Sequence, residues 1–449
     1  MSRAQQLSVK GQRQSKQTSR SRLTLGVYSY QSLCVYEFDP FALGREMSVG
    51  VANSRRRELI RKIGERRKSS VITYVLGDRR GVSAQIAEDA VRPIYDHLLK
   101  IGRTKKIDIY LYSVGGQMEV PWRVVSMVRE FADELGILIP YKSMSAATMI
   151  ALGADEVIVG KKGELGPIDP QITIQRGDGG TAVQDTLSVE DVMSYVRFLK
   201  ERAGLSDQSA LSGLMVTLAD KLTPWALGQI NRVHSHIREV ARKLLSCHHP
   251  GFSIEGPRAQ VIVEILAEKT YQHGHAISRR EAKEIGLNII DPDKHLENSM
   301  WTLFEEYESL MKLRDPIDPR SFVPRDKDEF SENVIIGCIE SSGMSHHHSG
   351  VLYGKVERPV PSQLSVNLNL NLALPQNIDP STLTDEARKT LQEMVQKLQP
   401  IIQEQVQNEI RRQMPAKGIK ISLQNSSWRK SDQWPTSPRR GQRAQRKPG

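Results

Sequence analysis

The sequence predicts an α/β fold built on a parallel sheet with crossover helices, and three observations carry that expectation. Short apolar runs rich in β-branched residues alternate with segments whose apolar residues recur at helical spacing. The connections between them are brief and marked by glycine and proline. The 449 residues also suffice for two or three domains with an ample core. In chain order, "SSVITYVLGD" reads as a first strand, "QIAEDAVRPIYDHLLKIG" as a helix, and "IDIYLYS" as a second strand. "EVPWRVVSMVREFADELG" then reads as a helix, "ILIPYK" as a third strand, "SAATMIALGA" as a buried helix and "DEVIVG" as a fourth strand. Such a βαβαβ order places consecutive strands parallel. From about 189 to 313 the pattern turns helical, through "VEDVMSYVRFLKERAGL", "TPWALGQINRVHSHIREVARKLL", "EGPRAQVIVEILAEKTY", "SRREAKEIGL" and "HLENSMWTLFEEYESLMKL". This helical extension is expected to cover the sheet or to pack on another subunit.

The formal charge of +11 is confined to the two ends of the chain. Residues 1–22 carry +6 and residues 410–449 carry +10, which leaves the body at about −5. Both ends are polar and rich in Ser, Gln, Arg and Pro, a composition that buries too little apolar surface to fold. They are expected to be solubilising tails or electrostatic arms for nucleic acid or another acidic surface. The three cysteines, Cys34, Cys247 and Cys338, are odd in number and far apart, which predicts a reducing, cytoplasmic setting. The opening "MSRAQQLSVKGQRQSKQTSRSR" has no apolar core of an export signal, and no run of 18 apolar residues predicts a membrane span.

The expected domain plan is a basic disordered tail over 1–46, a catalytic-type α/β domain over 47–315, a linker over 316–360, a strand and helix over 361–410, and a second basic tail over 411–449. In "QLSVNLNLNLALP" leucines and a valine alternate with polar or small residues, the period of a strand with one buried face. The following "PSTLTDEARKTLQEMVQKLQPIIQEQVQNEIRRQ" carries a capping signal at Thr384 and an apolar stripe of Leu391, Met394, Leu398, Ile402 and Val406. Its polar face is rich in Gln and Glu, which argues against a membrane surface.

Two turns carry candidate chemistry. In "YLYSVGGQ" the strand ends at Ser113, and Gly115-Gly116 permits positive φ and close approach of another group to the backbone. In "YKSMSAATM" the strand ends near Met144 and Ser145 opens the next helix, where unpaired N–H donors favour developing negative charge. A serine oxygen attacking a carbonyl needs fixed donors about 3 Å from the resulting oxyanion, and the N–H groups of Gly116 and Ala146 are candidates. In parallel sheets both turns fall at the carboxyl ends of strands, where ligands bind. A serine in that place also serves as an ordinary N-cap.

The stretches "YSVGGQ", "KSMSAATMIALGADEVIVGKKGELGPIDPQ", "ADKLTPWALGQINRVHSHIREVARKLL" and "YQHGHAISRREAKEIGL" together resemble the serine dehydrogenase proteinase family, over roughly residues 52–292. That family groups with signal peptide peptidase A and the Clp protease proteolytic subunit. The resemblance implies a ClpP/crotonase-like fold and serine hydrolase activity on peptides or proteins without a cofactor. It also implies Ser145 as nucleophile and Gly115 and Gly116 as oxyanion hole. Val114 stands where the family usually has proline, and Ala147 where a glycine after the nucleophile is common. For the general base, the histidine of the Clp subunit corresponds to the turn "GPIDPQ", which offers Asp169. A lysine of the signal peptide peptidase kind would be Lys200 or Lys221. A carboxylate or ammonium needs burial to act as a base near neutrality.

"CHHP" at 247–250 and "HHH" at 346–348 lack companion ligands at zinc spacing, and His234 and His236 face different sides of a helix, so no metal is expected. The alternatives to a serine peptidase are a scaffold that keeps the fold with impaired catalysis, and a crotonase-type acyl-thioester enzyme that uses the oxyanion hole alone. A homo-oligomer is expected, because the helical extension and the C-terminal strand and helix each need a partner surface.

Overall fold

The computed structural model describes residues 40–176, 183–205, 207–248, 254–269, 275–324, 327–358 and 384–431. The chain divides into two units, Met1–Val49 and Gly50–Gly449. Helix α1 (Pro40–Arg67) leads to strand β1 (Ser70–Leu76), α2 (Val91–Ile101), β2 (Thr104–Tyr112), α3 (Val120–Arg129) and β3 (Ala132–Ile139). A two-residue strand β4 (Lys142–Ser143), α4 (Ala146–Leu152), β5 (Glu156–Val159) and β6 (Glu164–Leu165) follow. The hairpin β7 (Gln171–Arg176) and β8 (Val183–Ser188) precedes α5 (Val189–Glu201), α6 (Gln208–Ser246) and α7 (Gly256–Glu264). Then come β9 (Ile277–Ser278), α8 (Arg279–Ile285), β10 (Ile289–Ile290), α9 (Lys294–Leu310) and α10 (Pro319–Phe322). The hairpin β11 (Glu329–Ser341) and β12 (Met344–Glu357), α11 (Asp385–Gln413) and β13 (Gly418–Lys430) complete the described chain.

Eight strands form one sheet in the order β10-β5-β3-β2-β1-β11-β12-β13. The pairs from β10 to β1 are parallel, as the alternation predicts. Both faces are covered, so the strands read as nearly continuous apolar runs. On one face Ile72, Tyr74, Ile107, Ile109, Leu135 and Ile137 pack with Val124, Ile150 and Leu244 from the helices. On the other, Val71, Val75, Tyr110, Tyr112 and Leu138 pack with Ile60 and Ile63 of α1 and with Leu303, Phe304 and Tyr307 of α9. The period-2 split of each strand fixes its register, because a slip of one residue would exchange the two faces.

Helix caps match the sequence at several starts. Ser188 accepts from the Asp191 N–H, Ser278 from the Glu281 N–H, and Asp293 from the His295 and Leu296 N–H groups. Within α6 the backbone kinks at Thr223 (φ 60°, ψ 148°), just before Pro224. The Thr223 hydroxyl accepts from the Ala226 N–H at 3.3 Å, so the segment beginning "TPWALG" restarts as a capped helix with proline at its first position.

Three expectations change. The helix expected to run through "FADELG" stops at Arg129, and Ala132 to Gly136 join β3 instead. Parallel pairing of Thr104 with Ala132 and of Asp108 with Gly136 outweighs local helix preference there. Residues 316–360 are not a linker: β11 pairs antiparallel with β1, and β12 with β11. Residues 411–449 are not wholly a disordered tail, since β13 pairs with β12 along its length. Helix α11 covers the stretch expected to be helical, with Met394 and Leu398 of its apolar stripe exposed, while the alternating "QLSVNLNLNLALP" lies outside the described residues.

The hairpin is held by a buried polar cluster. The Arg56 guanidinium grips the Glu340 carboxylate with two hydrogen bonds of 2.9 Å. The Tyr307 hydroxyl donates to Glu340 Oε2 at 2.7 Å, and the Glu340 N–H donates to Thr73 Oγ1 at 3.0 Å. His347 Nε2 lies 3.3 Å from Glu340 Oε1. Burial alone would raise the Glu340 carboxyl, but His347 and Arg56 hold it well below the usual carboxylate range. One carboxylate thus ties α1, β1, α9 and β12 to the end of β11.

Candidate active site

The two turns singled out by the sequence meet. Ser113, just past β2, and Ser143 of β4 form a parallel bridge. The Ser113 N–H donates to Lys142 O and the Met144 N–H to Ser113 O, each at 3.0 Å. These bonds set the glycine turn directly against the serine turn. A Cβ placed on Gly115 (φ 111°) would lie 2.8 Å from Ser145 Cβ and 3.3 Å from Ser145 Oγ, so only glycine fits. On Gly116 (φ 154°) a Cβ would fall 2.1 Å from the Ile86 carbonyl oxygen.

Ile86 is the third side of this junction. Its N–H donates to Gly115 O and its carbonyl accepts from the Gln117 N–H, both at 2.8 Å. The bridge therefore uses the residues flanking Gly116 and, among the described residues, leaves the Gly116 N–H unspent. The Gly115 N–H, by contrast, donates to Ser113 Oγ at 3.0 Å, which takes it out of the expected donor set. On the serine side the Ala147 N–H donates to Met144 O and the Met149 N–H to Ser145 O. Ala146, the first helical residue, stands among the positions whose N–H has no acceptor within its own helix.

Ser145 itself is strained. Its φ of 52° and ψ of −114° lie where a residue with a Cβ is rarely found, and its side chain makes no capping hydrogen bond. The hydroxyl is therefore held away from the role of a plain N-cap. Strain of this kind persists only where the surroundings over-determine the backbone, and it clusters at functional sites. The Ser145 hydroxyl instead donates to Met118 Sδ at 3.6 Å. Both residues retain 9 % of their surface.

Thr148 clamps the serine turn to the Gly-Pro turn that follows β6. Its hydroxyl lies 2.7 Å from Ser143 O and 2.8 Å from Gly166 O, and the Gly166 N–H comes within 3.1 Å of the same oxygen. Asp169, three residues further, is buried and accepts from the Glu190 N–H at 3.4 Å. Lys200 on α5 and Lys221 on α6 are exposed, so they lack the burial that a lysine base requires. Among the described residues no hydrogen bond joins Ser145 Oγ to Asp169, Lys200 or Lys221.

At the same edge of the sheet, Asp78 follows β1, Tyr112 ends β2 and Lys142 forms β4. Lys142 Nζ bonds Asp78 Oδ2 at 2.7 Å and the Tyr112 hydroxyl donates to Asp78 Oδ1 at 2.6 Å. Burial would lower the Lys142 ammonium, but the hydrogen bond and charge of Asp78 outweigh it and raise its pKa. Sequence reading missed this group, and it missed Ile86 and Met118, whose roles arise from tertiary placement. Ser113 and Thr148 had a signal, a hydroxyl closing an apolar strand and a threonine one helical turn beyond the candidate serine. Among the described residues no group of three His, Cys, Asp or Glu could hold a metal ion, and no helix is long and apolar enough to cross a membrane.

A parallel sheet with crossover helices thus carries a glycine turn packed on a strained serine at the carboxyl ends of its strands. Residues 41–178 match the family described as ClpP-like SDH-type serine proteinase. A Methanocaldococcus jannaschii relative, the uncharacterized protein MJ0137, is 22% identical over 274 residues, covering 59% of this chain and 82% of its own. A second from the same organism, MJ1495, is 35% identical over 66 residues, 15% of this chain and 23% of the relative. Among solved structures, ClpP1 from Listeria monocytogenes aligns over 56% of this chain and 99% of its own, at 13% identity and a TM-score of 0.27.

Proposed function

We propose that the chain is a serine hydrolase that acts on peptide or protein substrates, with Ser145 as nucleophile. The observation that carries this reading is the strained φ of 52° at Ser145, whose hydroxyl is withheld from capping and set against the Gly115-Gly116 turn. Ser145 Oγ would bond to the substrate carbonyl carbon, and the carbonyl pair would move onto oxygen. The N–H groups of Gly116 and Ala146 are the donors for that oxyanion, with Gly115 serving as the spacer that admits Ser145. Collapse of the intermediate expels the amine, which takes up a proton, and water then releases the acyl group. Asp169 is the buried carboxylate among the base candidates and is assigned the proton transfer; Lys200 and Lys221 are not.

A second reading, a scaffold with impaired catalysis, is favoured by the Met118 contact of the Ser145 hydroxyl, which leaves it without a base partner, and by Ala147 in place of glycine. A fluorophosphonate probe separates the two. Labelling of the wild type and not of Ser145→Ala supports the hydrolase; an unlabelled wild type supports the scaffold. Asp169→Asn should slow acylation by roughly 10²- to 10⁴-fold if the carboxylate is the base.

The same proposal includes self-association and a reducing, cytoplasmic setting. Trp225 is 88% exposed, and Tyr195, Phe198, Met215 and Val216 are also exposed along α5 and α6. Cys247 and Cys338 are free thiols. Contacts with nucleic acid through the basic ends remain a separate proposal, read from charge alone.

A further inference from the structure

We propose that Met118 is the gate of the Ser145 site and restricts it to substrates whose acyl side chain beside the scissile carbonyl is short and uncharged. The inference rests on Ser145 being the nucleophile. The thioether sulfur sits 3.6 Å from Ser145 Oγ, and a reacting carbonyl must enter the space around that same oxygen to within about 3 Å. Any substrate must therefore share that space with Met118 or push it aside. Two residues next to the turn are apolar and fully buried: Ile86, whose backbone bridges Gly116, and Ala146, which follows the nucleophile. Among the described residues Ser145 makes no hydrogen bond to a charged side chain, so no charged partner is placed there to offset the desolvation of a charged acyl group.

Methionine suits a gate because its unbranched, three-torsion chain adopts alternative rotamers at small cost. It also lies just past the glycine turn, two residues from Gly116, so its backbone is fixed by the Gln117 hydrogen bond to Ile86 O. The side chain can swing while its anchor stays. In a peptide, the residue on the acyl side of the cleaved bond would be glycine, alanine or serine.

The test uses the full chain and p-nitrophenyl acetate, butyrate and octanoate. In each turnover the Ser145 Oγ–acyl bond forms as the ester bond breaks, p-nitrophenolate keeps the bonding pair, the hydroxyl proton passes through Asp169 to solvent, and a water hydrolyses the acyl-enzyme. The wild type should prefer acetate. Met118→Val and Met118→Ala should raise the octanoate-to-acetate ratio of kcat/KM progressively, by at least roughly tenfold for Ala, the scale of a methylene in an apolar pocket. Met118→Leu should restore the wild-type order. An unchanged ratio in variants that still label at Ser145, or a wild type that already favours octanoate, overturns the gate and leaves the nucleophile intact. A wild type that neither labels nor turns over any ester overturns both.

Discussion

Ser145 occupies a backbone conformation that costs a residue with a Cβ roughly 1–3 kcal/mol, and the site carries that cost at one position. Replacing it with glycine should therefore raise the urea midpoint, by about 1 kcal/mol in stability, while removing probe labelling. A lower midpoint would mean that the hydroxyl, and not the backbone, matters to the fold. Ser143 is the control two residues upstream: among the described residues its buried hydroxyl has no hydrogen-bond partner. Ser143→Ala should be neutral or slightly stabilising and should still label. The candidate serine and glycines were legible because small residues at the end of an apolar run mark a backbone that side chains cannot follow. The gate at Met118 and the bridge at Ile86 were not, since a contact across 27 residues leaves no local pattern.

Among the elements, the parallel strands were legible because burial on two faces forces continuous apolar runs such as "VITYVL". The β11–β12 hairpin was not, because its buried positions include Glu340, Ser341, Ser345, His346, His347 and Ser349. Their polarity reads as loop, and the partners that Arg56, Tyr307 and Thr73 supply to Glu340 and that His97 supplies to Ser341 and His346 make much of that burial tolerable. Arg56→Met should cost about 3–5 kcal/mol by leaving the Glu340 carboxylate without its countercharge. The double variant Arg56→Met/Glu340→Leu should recover much of that loss in chemical denaturation. Acid should act on the same region through His97, whose Nδ1 lies 2.8 Å from Ser341 Oγ and whose Nε2 lies 3.2 Å from His346. Burial, and then the charge of His346, lower its pKa from 6.5 to about 4. Above pH 6.5 His97 is neutral folded or unfolded. As the pH falls towards 4, the unfolded chain binds a proton that the folded chain refuses, and about 3 kcal/mol is lost. Stability measured by urea titration across that window should flatten in His97→Gln.

At the scale of the whole molecule, α5 and α6 expose the large apolar side chains Tyr195, Phe198, Met215, Val216 and Trp225. The wild type should scatter light as a multiple of the single chain, and Trp225→Glu with Phe198→Glu should shift it towards one chain without lowering the melting temperature. A wild type already at the mass of one chain would refute self-association. The parallel half of the sheet and its crossover helices were visible in the order of apolar runs. The antiparallel half was hidden by its polar interior and by distance along the chain. That distance has a kinetic meaning. The first strand of the sheet lies at its centre, and its second neighbour arrives only with Glu340, 267 residues after Thr73. During synthesis at roughly 5–20 residues per second, β1 waits tens of seconds with one side open. Its unpaired amides are then a template for other nascent chains, so the yield of native protein is set by a race between the arriving C-terminal hairpin and intermolecular strand pairing.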